Sequence, residues 1–167
     1  MENHFHYRSL FYILTFGKKK IMNNFIFKKV SSKEEMDKSY TIRKKVFCEE
    51  QKISKEIEFD NLDHLCGHFL IFDSKKAIAT ARVRQKEENV LKIERVAVLF
   101  EFRRLKVGST LIKNIIQYFI NLNENISFIL HSQVAVAGFY ESINFISYGD
   151  KFFEDGIPHI AMKYIKN

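Results

Sequence analysis

The stretch of sequence that decides the fold is LKIERVAVLFEFRRLKVGSTLI, residues 91–112. It begins with apolar residues at strand spacing, among which lie Glu94 and Arg95, and it continues through a basic turn that ends at Gly108. After the turn, apolar residues recur at helical spacing as far as Ile120. A strand, a basic turn and a helix together direct free backbone N–H groups and a helix dipole at a phosphate. With a carboxylate on the strand, the pattern predicts an enzyme that binds a phosphorylated cofactor beside a proton acceptor.

The bulk composition predicts one globular domain. The chain has 167 residues, of which 46% are apolar and 28% are charged, and 17 phenylalanines are available to fill an interior. This length is enough to bury a single substantial core. One proline and six glycines argue against a disordered or fibrous chain.

The N-terminal 21 residues differ from the rest. The apolar run at residues 10–16 is far too short to span a membrane. A signal peptide would place basic residues before the apolar run, whereas here they follow it at residues 18–20. We therefore predict a disordered extension at residues 1–21 and a single domain at residues 22–167, with Met22 as an alternative start.

The excess of positive charge is local. The formal net charge is +7, but residues 1–33 hold seven basic residues against Glu2 alone, and the remainder is close to balanced. A nucleic-acid-binding domain carries its excess on the folded surface. The sequence therefore predicts neither a nucleic-acid partner nor a membrane partner.

The cysteines and histidines show no metal-ligand spacing. Cys48 and Cys66 form no CxxC pair, and no histidine lies at a matching distance. We expect free or buried thiols in a reducing compartment, which favours a cytoplasmic location, and we expect no metal.

The order of elements predicts an α/β or α+β layered domain with a mixed sheet. Alternating and apolar runs predict strands, and helical spacing with capping residues predicts helices. The predicted strands are residues 25–30, 68–72, 77–84, 90–98, 127–131, 146–151 and 157–164. The predicted helices are residues 33–51, a helix from Gly108 to about residues 121–125, and residues 135–143, which end at Asn144 as a left-handed cap.

Four motifs in this order resemble the GNAT superfamily of acetyl-CoA-dependent N-acetyltransferases, and in particular its small bacterial branch. They are R-x-x-V-F-x-x-E-Q from Arg43 to Gln51, I-E-R-V-A-V from Ile93 to Val98, G-F-Y-E from Gly138 to Glu141, and G-I-P-H from Gly156 to His159 with Met162 nearby. The resemblance covers about residues 25–164. It implies the GNAT fold, a mixed and mostly antiparallel sheet of six to seven strands flanked by helices. It also implies acetyl-CoA as co-substrate, direct transfer without a covalent enzyme intermediate, and a homodimer as the default assembly.

The family's phosphate loop, [RQ]-x-x-G-x-[GA], reads RRLKVG here, so Lys106 stands where glycine is usual. A lysine in helical conformation could still supply the backbone N–H, and its side chain would add positive charge near the phosphates. The resemblance implies that the end of the fourth strand and this loop bind the cofactor. The residues concerned are Val96, Ala97, Val98, Arg103, Arg104, Leu105, Lys106, Val107, Gly108, Ser109 and Thr110.

Two residues are expected to carry the chemistry. Acetyl transfer needs a neutral amine, so a base must take a proton from the ammonium form. Glu94 matches a position where several GNAT enzymes keep a catalytic glutamate, and its alternative role is an ion pair with Arg95, Arg84 or Lys92. Tyr140 matches the family tyrosine that protonates the leaving thiolate, and its alternative role is packing.

The acceptor is less defined. Glu50 would suit a cationic amine, whereas Arg43, Arg84 and His159 could bind an anionic group such as a sugar phosphate; each could instead be a surface residue or an ion-pair partner. We predict a small primary amine, with an amino-sugar phosphate such as glucosamine 6-phosphate as the named candidate. The rivals are a protein or peptide N-acetyltransferase and a non-catalytic acyl-CoA-binding regulatory module.

Overall fold

The computed structural model describes residues 25–166, so the extension predicted at residues 1–21 lies outside the described part of the chain. Seven strands form one sheet in the order β1-β2-β3-β4-β5-β7-β6. The strands are β1 (Phe25–Lys29), β2 (Gly67–Asp73), β3 (Lys76–Glu87), β4 (Val90–Val98), β5 (Ser127–Gln133), β6 (Phe145–Glu154) and β7 (Ile157–Tyr164). The helices are α1 (Lys33–Arg43), α2 (Lys55–Glu58), α3 (Val107–Ile120) and α4 (Ala137–Glu141). All strand pairs are antiparallel except β4 with β5, which confirms the predicted mixed, mostly antiparallel sheet.

Helix α1 begins where the sequence predicted. The Ser32 hydroxyl accepts a hydrogen bond from the backbone N–H of Glu35 at 3.2 Å, and Glu34 and Glu35 complement the helix dipole in the first turn. The predicted helix over residues 33–51 is α-helical only as far as Arg43. From Lys44–Glu50 it continues as a π-helical segment, a form often found at functional sites.

The core covers both faces of the sheet. Alternation along β2 sends Phe69 and Ile71 to the α3 face and Leu70 to the α1 face. Helix α3 buries the apolar stripe predicted from its spacing, with Leu111, Ile112, Ile115 and Ile116 at most 5% exposed. The sheet therefore lies between α1 and α3.

Strands β4 and β5 separate after a short contact. Their parallel pairing covers only Val90–Lys92 against Ser127–Ile129. Strand β4 also bulges against β3, because Arg95 and Val96 lie between the paired positions Glu94 and Ala97, opposite a single residue of β3. Arg95 has a φ of +52° there. The bulge bends β4 away from β5 and opens a cleft in the middle of the sheet.

Several shorter elements complete the architecture. Short 3₁₀ turns lie at Asp63–Leu65, Phe100–Phe102 and Val134–Val136. The last of these begins the region predicted as a helix over residues 135–143, of which only α4 is α-helical. Asn144 adopts the predicted left-handed conformation, with φ +70°. No helix within residues 25–166 is long and apolar enough to cross a membrane.

Candidate active site

A cavity of about 780 Å³ occupies the gap between β4 and β5, and we call it the central cavity. Its walls come from β4, the basic turn, the start of α3, the end of β5, α4 and the β6–β7 hairpin. Beyond Lys92, the β5-facing backbone of β4 has no strand partner among residues 25–166, and Val96, Ala97 and Val98 line the cavity there. An extended ligand can pair with such an open strand edge through its own amides.

The basic turn, which comprises residues 103–106, and the start of α3 form one end of the central cavity. The first amide of this helix to find an acceptor is that of Thr110, which donates to the carbonyl of Lys106 at 2.9 Å. The N–H groups of Val107, Gly108 and Ser109 precede it, and they carry the positive end of the dipole of a 14-residue helix. This end of the cavity is suited to bind a phosphate group.

Lys106 is not helical. Its φ of 62° and ψ of 10° place it in the left-handed region, immediately before α3. The structure thus explains the usual glycine at this position, because a side chain there costs about 1–2 kcal/mol. The helical conformation on which we based the role of Lys106 is not the one it adopts.

The cations of the basic turn and of helix α3 that lie at this end of the cavity form two groups. Arg103 is engaged, because its Nε donates to the Val98 carbonyl at 3.0 Å and its Nη2 lies 2.6 Å from the Glu50 carboxylate. Arg104, Lys106 and Lys113 also line the cavity, and within residues 25–166 they have no carboxylate within ion-pair distance. These three side chains are free to neutralise an anionic ligand. Leu105 and Thr110, which were predicted as cofactor contacts, are not among the lining residues.

Tyr140 lies on α4 with its ring packed edge-to-face against Phe139 and Phe145, at centroid distances of 4.8 and 5.9 Å. The residue is 8% exposed and lines the central cavity. The only enclosed polar side-chain atom without a partner in the described chain is Nδ1 of His68, so the unbonded Tyr140 hydroxyl is open to the cavity. Burial raises the pKa of Tyr140, which keeps the phenol protonated.

Glu94 lines the central cavity but is surrounded by cations. Its carboxylate lies 3.0 Å from Arg82, 3.0 Å from Arg84 and 3.4 Å from Lys92, and its side chain is 9% exposed. Burial opposes ionisation, but the hydrogen bond from Arg84 and the charges of Arg82 and Lys92 outweigh it and lower the pKa of Glu94 to about 2. A carboxylate of such low basicity is a poor proton acceptor near neutral pH. The placement fits the ion-pair alternative better than the catalytic one.

The four residues predicted to contact the acceptor do not lie together in the structure. Arg43 is fully buried, with its guanidinium 2.5 Å from Glu58 and 2.7 Å from Asp63. Arg84 is bound to Glu94, and Glu50 to Arg103. None of these three residues lines the central cavity. Of the four predicted contacts, only His159 does.

The central cavity is also lined by a second group of polar side chains, which the sequence analysis did not assign. His131 on β5 places its Nδ1 2.5 Å from Oε1 of Glu154, at the end of β6. Lys92 on β4 lies 3.2 Å from the same nitrogen, and His159 on β7 approaches the other carboxylate oxygen at 3.9 Å. His131 and Glu154 are 23 positions apart, so no local motif connects them. Among residues 25–166, no group of three His, Cys, Asp or Glu side chains has the geometry to hold a metal ion.

Comparison with known proteins identifies relatives of this arrangement. A family model described as an acetyltransferase (GNAT) domain matches residues 27–166. A Bacillus subtilis protein named as a candidate acetyltransferase is 33% identical over 138 residues, which cover 81% of this chain and 92% of that protein.

Two crystal structures have the same fold. Escherichia coli ElaA is 25% identical with a TM-score of 0.74, and the match covers 84% of this chain and 99% of that one. A candidate N-acetyltransferase from Lactobacillus plantarum has a TM-score of 0.79 at 22% identity, covering 84% of this chain and 97% of that one.

Proposed function

This chain belongs to the GNAT acetyltransferase family and is an acyl-CoA N-acyltransferase, and from that premise we propose that it transfers the acetyl group of acetyl-CoA directly to a primary amine of a small molecule. The observation that carries the proposal is the continuity of the central cavity. One space joins an anion-binding helix start, an open strand edge and the Tyr140 hydroxyl.

The chemistry of the lining residues fits acetyl-CoA along the length of the cavity. The pyrophosphate would lie at the start of α3, beside Arg104, Lys106 and Lys113. The amide groups of the pantetheine arm match the unpaired peptide groups of β4 between Val96 and Val98. This arrangement would present the thioester to the part of the cavity where Tyr140 lies.

In the transfer step, the amine nitrogen attacks the thioester carbonyl carbon. A C–N bond forms, the C–S bond breaks, and coenzyme A leaves as a thiolate. Backbone N–H groups at the end of β4 would stabilise the oxyanion of the tetrahedral intermediate. Tyr140 would give its proton to the thiolate and recover one from the attacking nitrogen, which carries two protons until the neutral amide forms.

The class of acceptor stays a prediction. Our preference for an amino-sugar phosphate depended on basic residues near the cleft, but Arg43 and Arg84 do not line the cavity and are paired with carboxylates. Glu154 and Asp155 lie at the cavity, where their charge would attract an ammonium group. We therefore keep the primary amine as the proposal, with glucosamine 6-phosphate as one member of a test panel. The homodimer also stays a prediction.

The proposal is tested by incubating the protein with acetyl-CoA and a panel of amines while free thiol is measured. The panel contains glucosamine 6-phosphate, amino acids, polyamines and lysine-containing peptides. We expect CoA release that depends on a small amine. Reaction with peptides alone would favour the protein-acetylating alternative. Acetyl-CoA binding without release for any amine would identify a non-catalytic acyl-CoA-binding module.

A further inference from the structure

We propose that His131 is the general base of this enzyme and that Glu154 is its positioning residue; the inference rests on the proposed function. An ammonium group has no lone pair with which to attack a thioester, so a residue at the acceptor end must take a proton before transfer. Glu94 is poorly suited to this task because three cations surround its carboxylate. The His131–Glu154 pair lines the same cavity.

The hydrogen bonding of His131 fixes which nitrogen is available. Nδ1 lies 2.5 Å from Oε1 of the Glu154 carboxylate, which can only accept, and 3.2 Å from Nζ of Lys92, which can only donate. The shorter contact to the carboxylate favours the neutral tautomer in which Nδ1 carries the proton. Nε2 then keeps the lone pair. No described residue bonds Nε2, and it is not among the enclosed polar atoms without a partner, so it is accessible. The side chain of His131 is 29% exposed.

The partner residue is itself held in place. Glu154 ends β6 at the turn into β7, and its second oxygen faces Nε2 of His159 at 3.9 Å. The backbone carbonyl of Ile157 fixes the His159 ring by accepting from its Nδ1 at 2.8 Å. Phe152 packs edge-to-face on His131, with ring centroids 4.9 Å apart. These contacts set the direction of the imidazole in the way that an orienting carboxylate does in other histidine bases.

The charged and titratable groups around His131 come from the two neighbouring strands, β4 and β7, and from β6 beyond β7. Lys92 of β4 lies 3.2 Å from Nδ1, Glu154 of β6 accepts a hydrogen bond from Nδ1, and Nε2 of His159 on β7 lies 3.9 Å from the same carboxylate. Lys92 is in turn bound to Glu94 at 3.4 Å. Lys92 therefore connects the ion pairs of Glu94 to His131, and Glu94 acts in this arrangement as a charge partner rather than as the base.

The proton balance is complete without a further reagent. Nε2 of His131 takes one proton from the bound ammonium, and the imidazolium later releases it to water. The neutral amine forms the C–N bond as the C–S bond breaks. The second amine proton reaches the departing sulfur through Tyr140, so the products are the acetamide, coenzyme A and one proton.

The test uses the fastest-reacting amine of the panel and compares the unmodified protein with His131→Ala, Glu154→Gln and His64→Ala. His64 lies in the turn Asp63–Leu65, outside the central cavity, and is the matched control. We expect His131→Ala to lower kcat by about 100-fold or more, with acetyl-CoA binding retained and with partial rescue by added imidazole. The control is expected to react like the unmodified protein.

The pH dependence separates a base from a structural residue. The acidic limb of kcat/KM should disappear in His131→Ala and should change in Glu154→Gln, because the lost carboxylate no longer orients the imidazole. Since the side chain of Glu154 is 40% exposed, this variant is expected to fold even where His131→Ala does not.

Unchanged turnover in His131→Ala, or an unchanged limb in Glu154→Gln, would overturn the inference while leaving the proposed function intact. Acetyl-CoA binding without turnover in the unmodified protein would instead overturn both.

Discussion

Arg82 on β3 and Glu94 on β4 are cross-strand partners, and Nε of Arg82 donates to Oε2 of Glu94 at 3.0 Å. Arg82 is 1% exposed and also binds Asp60 and Asp63. The pair therefore connects the central strands to the segment that follows α2. It gives the carboxylate of the IERVAV motif a structural role that can be measured.

Replacing Glu94 with Gln should destabilise the protein. Removal of one partner from a buried ion pair leaves the other charges uncompensated and costs about 3 kcal/mol. The free energy of unfolding from urea titration measures the effect. Glu34→Gln, which breaks the exposed pair with Lys38, is the matched control and should change stability little. Equal stability of Glu94→Gln and the unmodified protein would contradict the account of the Arg82–Glu94 pair.

The contribution of Glu94 to the free energy of unfolding should be lost at acidic pH. The folded-state pKa of Glu94 is about 2, below the unfolded value of 4.5. The stabilisation is therefore complete above the unfolded pKa and is lost as the pH falls from about 4.5 towards 2. Urea midpoints measured across this window should fall more steeply for the unmodified protein than for Glu94→Gln. Parallel curves would show that Glu94 makes no such contribution.

Tyr140→Phe should separate chemistry from packing. The ring contacts with Phe139 and Phe145 do not need the hydroxyl, so folding and acetyl-CoA affinity should be preserved. Loss of the proton donor should lower kcat by about 100-fold. CoA release and calorimetric titration with acetyl-CoA measure the two quantities. Unchanged turnover would remove Tyr140 from the mechanism.

Lys106→Gly should stabilise the fold. The substitution relieves the left-handed backbone strain at φ 62°, worth about 1–2 kcal/mol, and the flexibility of glycine in the unfolded chain returns about 0.4–1 kcal/mol of that. We expect a net gain of about 0.5–1 kcal/mol. Leu105→Gly, at a neighbouring position without a positive φ, should destabilise instead. A loss of stability in Lys106→Gly would contradict the strain argument.

Sequence patterns correctly predicted the elements in which apolar residues recur at regular strand or helix spacing. The bounds of β4 match residues 90–98, those of β7 match residues 157–164, and α3 buries the predicted stripe. The short helix α2 was missed because ion pairs from Glu58 to Arg43 and Arg95 hold this charged segment, and such partners are not visible locally. The bulge at Arg95 is likewise a consequence of strand pairing rather than of residue type.

In the candidate site, too, the features that local sequence reveals differ from those that only tertiary contacts produce. The basic turn and Tyr140, which both line the central cavity, could be singled out because their motifs are contiguous in the chain. The His131–Glu154 pair could not be predicted, because only the pairing of β7 with both β5 and β6 brings the two side chains together. The acceptor role of Arg43 and Arg84 stays a prediction, and the structure places both side chains in ion pairs. The Arg84–Glu94 pair was among the alternatives, whereas the pair of Arg43 with Glu58 joins residues 15 positions apart and has no local motif.

The central claim is that this protein moves an acetyl group from coenzyme A to an amine nitrogen. The most direct measurement supplies acetyl-CoA labelled with ¹³C in the acetyl group, together with the amine panel, and follows the label by mass spectrometry. The account predicts that the label appears as an N-acetyl group on a small primary amine, in equal amount to the CoA released and much more slowly in Tyr140→Phe. Acetyl-CoA that binds the protein but keeps its label in the presence of every amine would contradict it.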